Sequence, residues 1–391
     1  MYNDFDELLN RKGTGCLKWD GCAARFPGLD TSGALPMWVA DADFRAPQEV
    51  VERLTQMAGF GIYGYPAPLR EEFAGALKSW LQRRHALEIE KDWVIFSPGV
   101  VPSINIAIQT FTDENDGIII QPPVYYPFKR SIEANRRKPI SNPLVYRGGR
   151  YYMDFADLAA KAADKNNKML ILCSPHNPVG RVWEESELRC LRAICDQSGV
   201  LLFADEIHSD IVFTGHTHLP ALSLGTGKIA TAFSMSKTFN LAGLHASAVV
   251  VPDASLRQKF RGWLQRASME SGCSFGVQAF IFACQYGEPY LAKMLAYIEG
   301  NIAFAREFTK KNIPRARFVN TEGTYLAWLD FNGFGLSPDE IDKTIVEKAK
   351  VLGDLGRWFG EGGAGFVRLN FACPRAIVKQ ALENLQKAFQ N

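Results

Sequence analysis

Ile229-Ala230-Thr231-Ala232-Phe233-Ser234-Met235-Ser236-Lys237-Thr238-Phe239-Asn240 runs from a short apolar stretch straight into hydroxyls and a single lysine. A compact apolar run of this kind suits a strand buried on both faces, and the polar residues that follow then stand at its carboxyl end. From Ile229 to Pro252 the only residue with a permanent charge is Lys237. Most lysines are solvated, but one set in so long an uncharged stretch is expected to be enclosed. Enclosure lowers the pKa of an ammonium toward the range where the free amine is a nucleophile.

Working outward, five further runs have the same character: Val94-Ile95-Phe96, Gly117-Ile118-Ile119-Ile120, Met169-Leu170-Ile171-Leu172, Val200-Leu201-Leu202-Phe203 and Ala248-Val249-Val250-Val251. Between them lie helical patterns, such as residues 102–111 and 184–198. The alternation predicts an α/β fold with a mostly parallel sheet flanked by helices. Past Gln258 the pattern is mostly helical to about residue 311. Short strands are then expected at 317–319, 324–330 and 366–371, with a terminal helix from about Pro374. These patterns predict an N-terminal arm that also joins the small domain (1–45), a large domain (46–288) and a smaller α+β domain (289–391).

Composition narrows the function. The 391 residues carry 44 Lys plus Arg against 42 Asp plus Glu, a net charge of +2 without blocks, so no nucleic-acid surface is expected. Apolar residues at 47% and charged residues at 22% are ordinary for a folded globular chain. No apolar run reaches the roughly 20 residues of a membrane span. The eight cysteines form no zinc-ligand pattern, and the first residues lack the apolar core of a secretory signal, so a reduced cytoplasm is expected.

In open α/β sheets ligands gather beyond the carboxyl ends of the strands, and four such ends carry unusual groups. Phe96-Ser97-Pro98-Gly99-Val100-Val101-Pro102 leads through glycine into a helix whose free N–H groups suit a phosphate, although an ordinary strand–helix turn would read the same. Ser174-Pro175-His176-Asn177-Pro178 fixes Asn177 between prolines, which a plain rigid turn would also explain. In Phe203-Ala204-Asp205-Glu206-Ile207-His208 an acid follows an apolar run. Asp205 therefore needs a cation: a salt-bridge partner, a metal shared with Glu206, His208, His216 and His218, or a cationic cofactor. The two last histidines sit in a surface-like loop without helical metal-site spacing, so no metal is expected. The fourth end is that of Lys237, and an enclosed lysine able to form a Schiff base ties all four together.

Asn-Pro-x-Gly, Asp-Glu-x-His and Ser-x-Ser-Lys, in this order and spacing, resemble the pyridoxal-5′-phosphate enzymes of the aspartate-aminotransferase fold. Lys18-Trp19-Asp20, Pro36-Met37-Trp38-Val39-Ala40-Asp41, Gly99-Val100-Val101-Pro102, Pro123-Val124-Tyr125-Tyr126-Pro127 and Asn370-Phe371-Ala372-Cys373-Pro374-Arg375 resemble, more narrowly, the MalY/PatB-type cystathionine β-lyases, so that matching motifs span about residues 11 to 375. The resemblance implies pyridoxal 5′-phosphate as cofactor, Lys237 as its Schiff-base lysine, Asp205 as partner of the pyridine nitrogen, Asn177 as donor to the phenolic oxygen with His208 nearby, and Tyr125 stacked on the ring. It implies a phosphate held by Gly99, Val100, Val101, Ser234 and Ser236, with Tyr65 lent to the neighbouring subunit, hence a homodimer with sites at the subunit interface. Arg368 would hold the α-carboxylate of an amino-acid substrate, with Trp38 and Asn177 beside it. Three residues depart from the pattern: His245 stands where many aminotransferases have a phosphate-binding arginine, and Cys16 and Met235 replace an expected Ser and Pro.

The implied reaction is β-elimination from cystathionine or a related cysteine S-conjugate, giving pyruvate, ammonia and a thiol. An aminotransferase would use the same cofactor residues, and a cofactor-bearing regulator that binds a partner protein is the non-enzymatic alternative.

Overall fold

The computed structural model describes residues 4–66 and 69–390. Its central sheet has seven strands: β1 Val94–Ser97, β2 Gly117–Ile120, β3 Lys138–Ser141, β4 Asn167–Cys173, β5 Leu201–Asp205, β6 Ile229–Phe233 and β7 Ser247–Val250. They lie in the order β1-β7-β6-β5-β4-β2-β3. Strand β7 runs antiparallel to both neighbours, while the other four pairings are parallel. All six strands expected from the sequence are present. The additional one, β3, reads Lys-Pro-Ile-Ser and lies at the sheet edge, where a proline costs no ladder bond.

Alternate side chains leave opposite faces of each strand, so these runs feed two apolar layers. On one face Ile95, Ile118, Ile171, Phe203, Ala232 and Val249 pack under helices Val100–Phe111, Pro127–Ala134 and Ala254–Arg266. On the other, Leu170, Leu172, Leu202, Ala204 and Val250 meet helices Arg70–His85, Glu185–Ser198 and Ser274–Tyr286. The helix Glu185–Ser198 has a reciprocal capping box between Glu184 and Glu187 at its start and Gly199 in a left-handed conformation at its end.

A second, wholly antiparallel sheet contains β8 Arg317–Phe318, β9 Leu326–Asp330, β10 Asp354–Leu355 and β11 Phe366–Asn370, in the order β8-β9-β11-β10. The helices Glu288–Asn312 and Arg375–Gln390 pack beside it. The N-terminal segment joins here too, since Leu35–Pro36 pairs in parallel with Val351–Leu352. From that pairing the chain crosses to the large sheet through residues 37–44. Asn370 Nδ2 holds this crossing at the carbonyls of Val39 and Asp41, and Asn240 holds it at Ala42 and Phe44.

Candidate active site

Parallel register brings three strand ends level. Cys173 at the end of β4 pairs with Asp205 at the end of β5, which pairs with Ala232 near the end of β6. Ser174, Asp205 and Ser234 therefore share one edge, and Lys237 follows in a short helical turn, Met235–Thr238. Ser234 shapes that turn: its hydroxyl donates to the Ala246 carbonyl at 2.8 Å and accepts the Ser236 N–H at 3.1 Å. Its proton is thus already engaged, while Ser236 is not committed in this way.

The Lys237 amine donates to the Ala40 carbonyl at 2.7 Å. Burial draws its pKa down to about 8, with Asp41 and Asp205 pulling upward and Arg368 pushing down. Asp205 is 4% exposed and accepts one backbone N–H, from Ile207. Burial lifts its pKa to about 7 against that bond and the attraction of Lys237. Such a carboxyl lacks a full cationic partner. His208, also buried, has an Nδ1 without a hydrogen-bond partner, and burial followed by repulsion from Lys237 and Arg368 keeps its ring neutral. Ser174 Oγ is another buried atom left unpaired.

Arg368 lies in the middle of β11, where register sets it between Trp328 on β9 and Asp354 on β10. It is 2% exposed. Its Nη1 donates to Asn177 Oδ1 at 3.0 Å, its Nη2 to the Trp38 carbonyl and to Asp354, and its Nε has no partner. Asn177 also gives its carbonyl to the Tyr125 N–H at 3.1 Å, so Trp38, Asn177, Arg368 and Tyr125 form one connected set. Tyr125 is half-buried, and burial raises its phenol pKa, with the charges of Arg368 and Asp205 both felt there.

Gly99 precedes the helix Val100–Phe111 with φ +148° and ψ 160°, a conformation open essentially to glycine alone. The first N–H groups of that helix, Val100 and Val101 among them, have no intrahelical acceptor. Tyr65 is fully exposed. His245 is exposed and left-handed, and among the described residues no three metal-ligating side chains converge. Glu206 instead faces His218 at 3.1 Å.

A desolvated lysine, a desolvated acid, a buried arginine and a glycine-led helix terminus together define a class of protein, and comparison with known families agrees: residues 39–385 match the model for aminotransferase class I and II, and the chain belongs to that family. Within it, the chain is 40% identical to cystathionine beta-lyase PatB of Bacillus subtilis, over 98% of this chain and 99% of that one. Cystalysin of Treponema denticola, solved with its pyridoxal 5′-phosphate cofactor, superposes with a TM-score of 0.95 at 35% identity, covering 100% of this chain and 99% of the other. A pyridoxal-phosphate-bound C-S lyase from Staphylococcus hominis gives 0.92 at 31%, covering 99% and 98%.

Several neighbours of the lysine were not singled out by the sequence reasoning. Tyr325, wholly buried, donates to the same Ala40 carbonyl at 3.0 Å. Asp354 is the ion-pair partner of Arg368. The Asp354 signal was present: a lone acid within Val351-Leu352-Gly353-Asp354-Leu355-Gly356 poses the same burial question as Asp205. A backbone acceptor such as Ala40 leaves no mark in a sequence.

Proposed function

We propose that this protein is a pyridoxal-5′-phosphate-dependent carbon–sulfur lyase that cleaves cystathionine or related cysteine S-conjugates to pyruvate, ammonia and a thiol. The residues fit the cofactor. Asp205 lacks a cation, His208 Nδ1 and Ser174 Oγ are unpaired, and the glycine-led helix start offers N–H groups to an anion. When bound, the cofactor supplies an aldehyde for the substrate amine and a protonated ring that draws electron density from Cα.

The chain's own groups do the rest. Asp205 would keep the proton on the ring nitrogen, Tyr125 would stack on the ring, and Asn177 and His208 would serve its phenolic oxygen. The N–H groups of Val100 and Val101, with the Gly99 turn and Ser236, would cradle the phosphate, and Ser234 holds the Met235–Thr238 turn in shape. Arg368 clamps the α-carboxylate between Trp38 and Asn177, a task suited to its planar fork. Lys237, with an amine pKa of about 8, removes the Cα proton and, as the resulting ammonium, returns a proton to the departing sulfur. The Ala40 carbonyl keeps that amine aimed.

The observation that carries elimination rather than amino-group transfer is the full-length 40% identity to a cystathionine beta-lyase, since the cofactor residues serve both. A homodimer completes the reading: Phe60, Ile62, Tyr63 and Tyr65 are all more than two-thirds exposed in one chain, and Tyr65 would reach the neighbour's phosphate. No described helix is long and apolar enough to cross a membrane, and all eight cysteines are free, which supports a reducing cytoplasm as the working compartment. The deciding experiment supplies cystathionine to the holoenzyme with and without a 2-oxo acid. Equal amounts of pyruvate, ammonia and homocysteine without the oxo acid are expected, whereas turnover that requires it would make the protein an aminotransferase.

A further inference from the structure

We infer that Arg25 is a specificity residue that receives a carboxylate on the leaving-group arm of the substrate, so that thioethers whose departing thiol is itself an amino acid are preferred. The inference rests on the lyase reading and deepens it. Asp354 uses both of its oxygens on cations: one takes Arg368 Nη2, the other takes Arg25 Nη2 at 3.1 Å. Arg25 thus stands one carboxylate beyond the group assigned to the substrate α-carboxylate.

Its guanidinium is held in an aromatic box. The Trp358 ring lies 3.7 Å below it, with Tyr126 at 5.2 Å and Trp38 at 5.5 Å. Two of these rings belong to segments that build the reactive site, since Tyr126 follows Tyr125 and Trp38 gives its carbonyl to Arg368. The box satisfies the faces of the guanidinium and leaves its edges underused. Of its five N–H donors, the one with an acceptor among the described residues is on Nη2; Nε is buried, and Nη1 is left as the open, unpaired group. The side chain is 26% exposed, so a ligand can reach it. A cation held over aromatic rings, with Nη1 unpaired and Nη2 joined through Asp354 to the α-carboxylate clamp, is organised for a second carboxylate. Cystathionine carries one at the far end of the thiol it releases.

The test compares kcat/KM for cystathionine with that for S-ethylcysteine, whose departing ethanethiol has no carboxylate, in the wild type, Arg25→Gln and Arg25→Lys holoenzymes. In Arg25→Gln the cystathionine-to-S-ethylcysteine ratio should fall about 10- to 100-fold, the range for losing a charge-assisted hydrogen bond, and KM for cystathionine should carry the change. Arg25→Lys should recover part of the ratio. An equal fall for both substrates would show Arg25 acting only through Asp354 on Arg368, and an unchanged ratio would show no role; either result overturns the inference. Turnover of S-ethylcysteine reports that the variants are folded. Failure of the lyase reading is separable: if wild type releases no thiol, the absorbance change of the bound cofactor still measures affinity for both ligands. A selective loss of cystathionine binding in Arg25→Gln then keeps the subsite, and an equal or absent loss removes it.

Discussion

Lys237 and Asp205 shape each other's titration, and each consequence has a sign. Only the neutral amine attacks an aldehyde, so capture of pyridoxal phosphate by cofactor-free protein should quicken with rising pH and level off above about 8. Asp205→Asn removes an attraction that favours the ammonium, so the rising limb should move to lower pH; stopped-flow absorbance measures both. A limb at the ordinary lysine value would show that the amine is solvated. The carboxyl itself carries a stability cost. Its folded pKa is raised from 3.8 to about 7, so the unfolded chain gives up the proton first, and this contribution to stability, present below pH 4, is lost as pH rises through about 7. Each pH unit in that window costs about 1.4 kcal/mol. Urea midpoints of the cofactor-free proteins should therefore separate in favour of Asp205→Asn between pH 4 and 7, and curves that stay parallel would show that Asp205 already has a partner.

At the level of elements, the start of helix Val100–Phe111 is where one atom matters most. Gly99→Ala would force an L side chain into a glycine-only conformation and set its Cβ 3.3 Å from Pro102 Cδ. A cost of about 1–3 kcal/mol is expected, seen as a lower Tm, together with weaker cofactor affinity as the N–H groups shift. Unchanged affinity would move the phosphate elsewhere. Elements of this kind were legible in the sequence because they are short-range: an apolar run, then glycine, then a helix. All six expected strands of the central sheet form, and Lys237 was marked by its isolation from other charge. What the sequence left dark depends on register and on distant backbone. Two-residue strands such as Val351–Leu352 and Asp354–Leu355 carry too little pattern to read. That Asp354 faces Arg368 follows only once β10 and β11 are aligned. The edge strand β3 was hidden by its proline and lysine, the residues that keep an edge from pairing further.

For the molecule as a whole, Tyr65 provides the sharpest test, because a side chain so exposed in one chain is assigned to the phosphate of another. Tyr65→Ala and Lys237→Ala homodimers should each be nearly inactive. Mixed dimers should regain activity, since one of the two sites then combines the lysine of one subunit with the tyrosine of its partner. Hybrids isolated with two affinity tags and assayed with cystathionine decide it, and no recovery would place Tyr65 within its own subunit's site or outside both. Light scattering gives the accompanying mass.

The bond from Arg368 to the carbonyl of Trp38 closes a loop of 330 residues. Closure entropy grows only logarithmically, so so long a loop adds little to the thermodynamic cost of folding, and the difficulty lies in time. A ribosome making this chain exposes residues 37–44 long before the arginine that fastens them. Between residues 237 and 368 the growing chain already holds Lys237 and Asp205 but lacks the proposed clamp for an amino acid, and the acceptor that aims the lysine is not yet secured by Asn370. Clamping of an amino acid is therefore expected to wait for β11, and a chain stalled before it should not hold the substrate carboxylate.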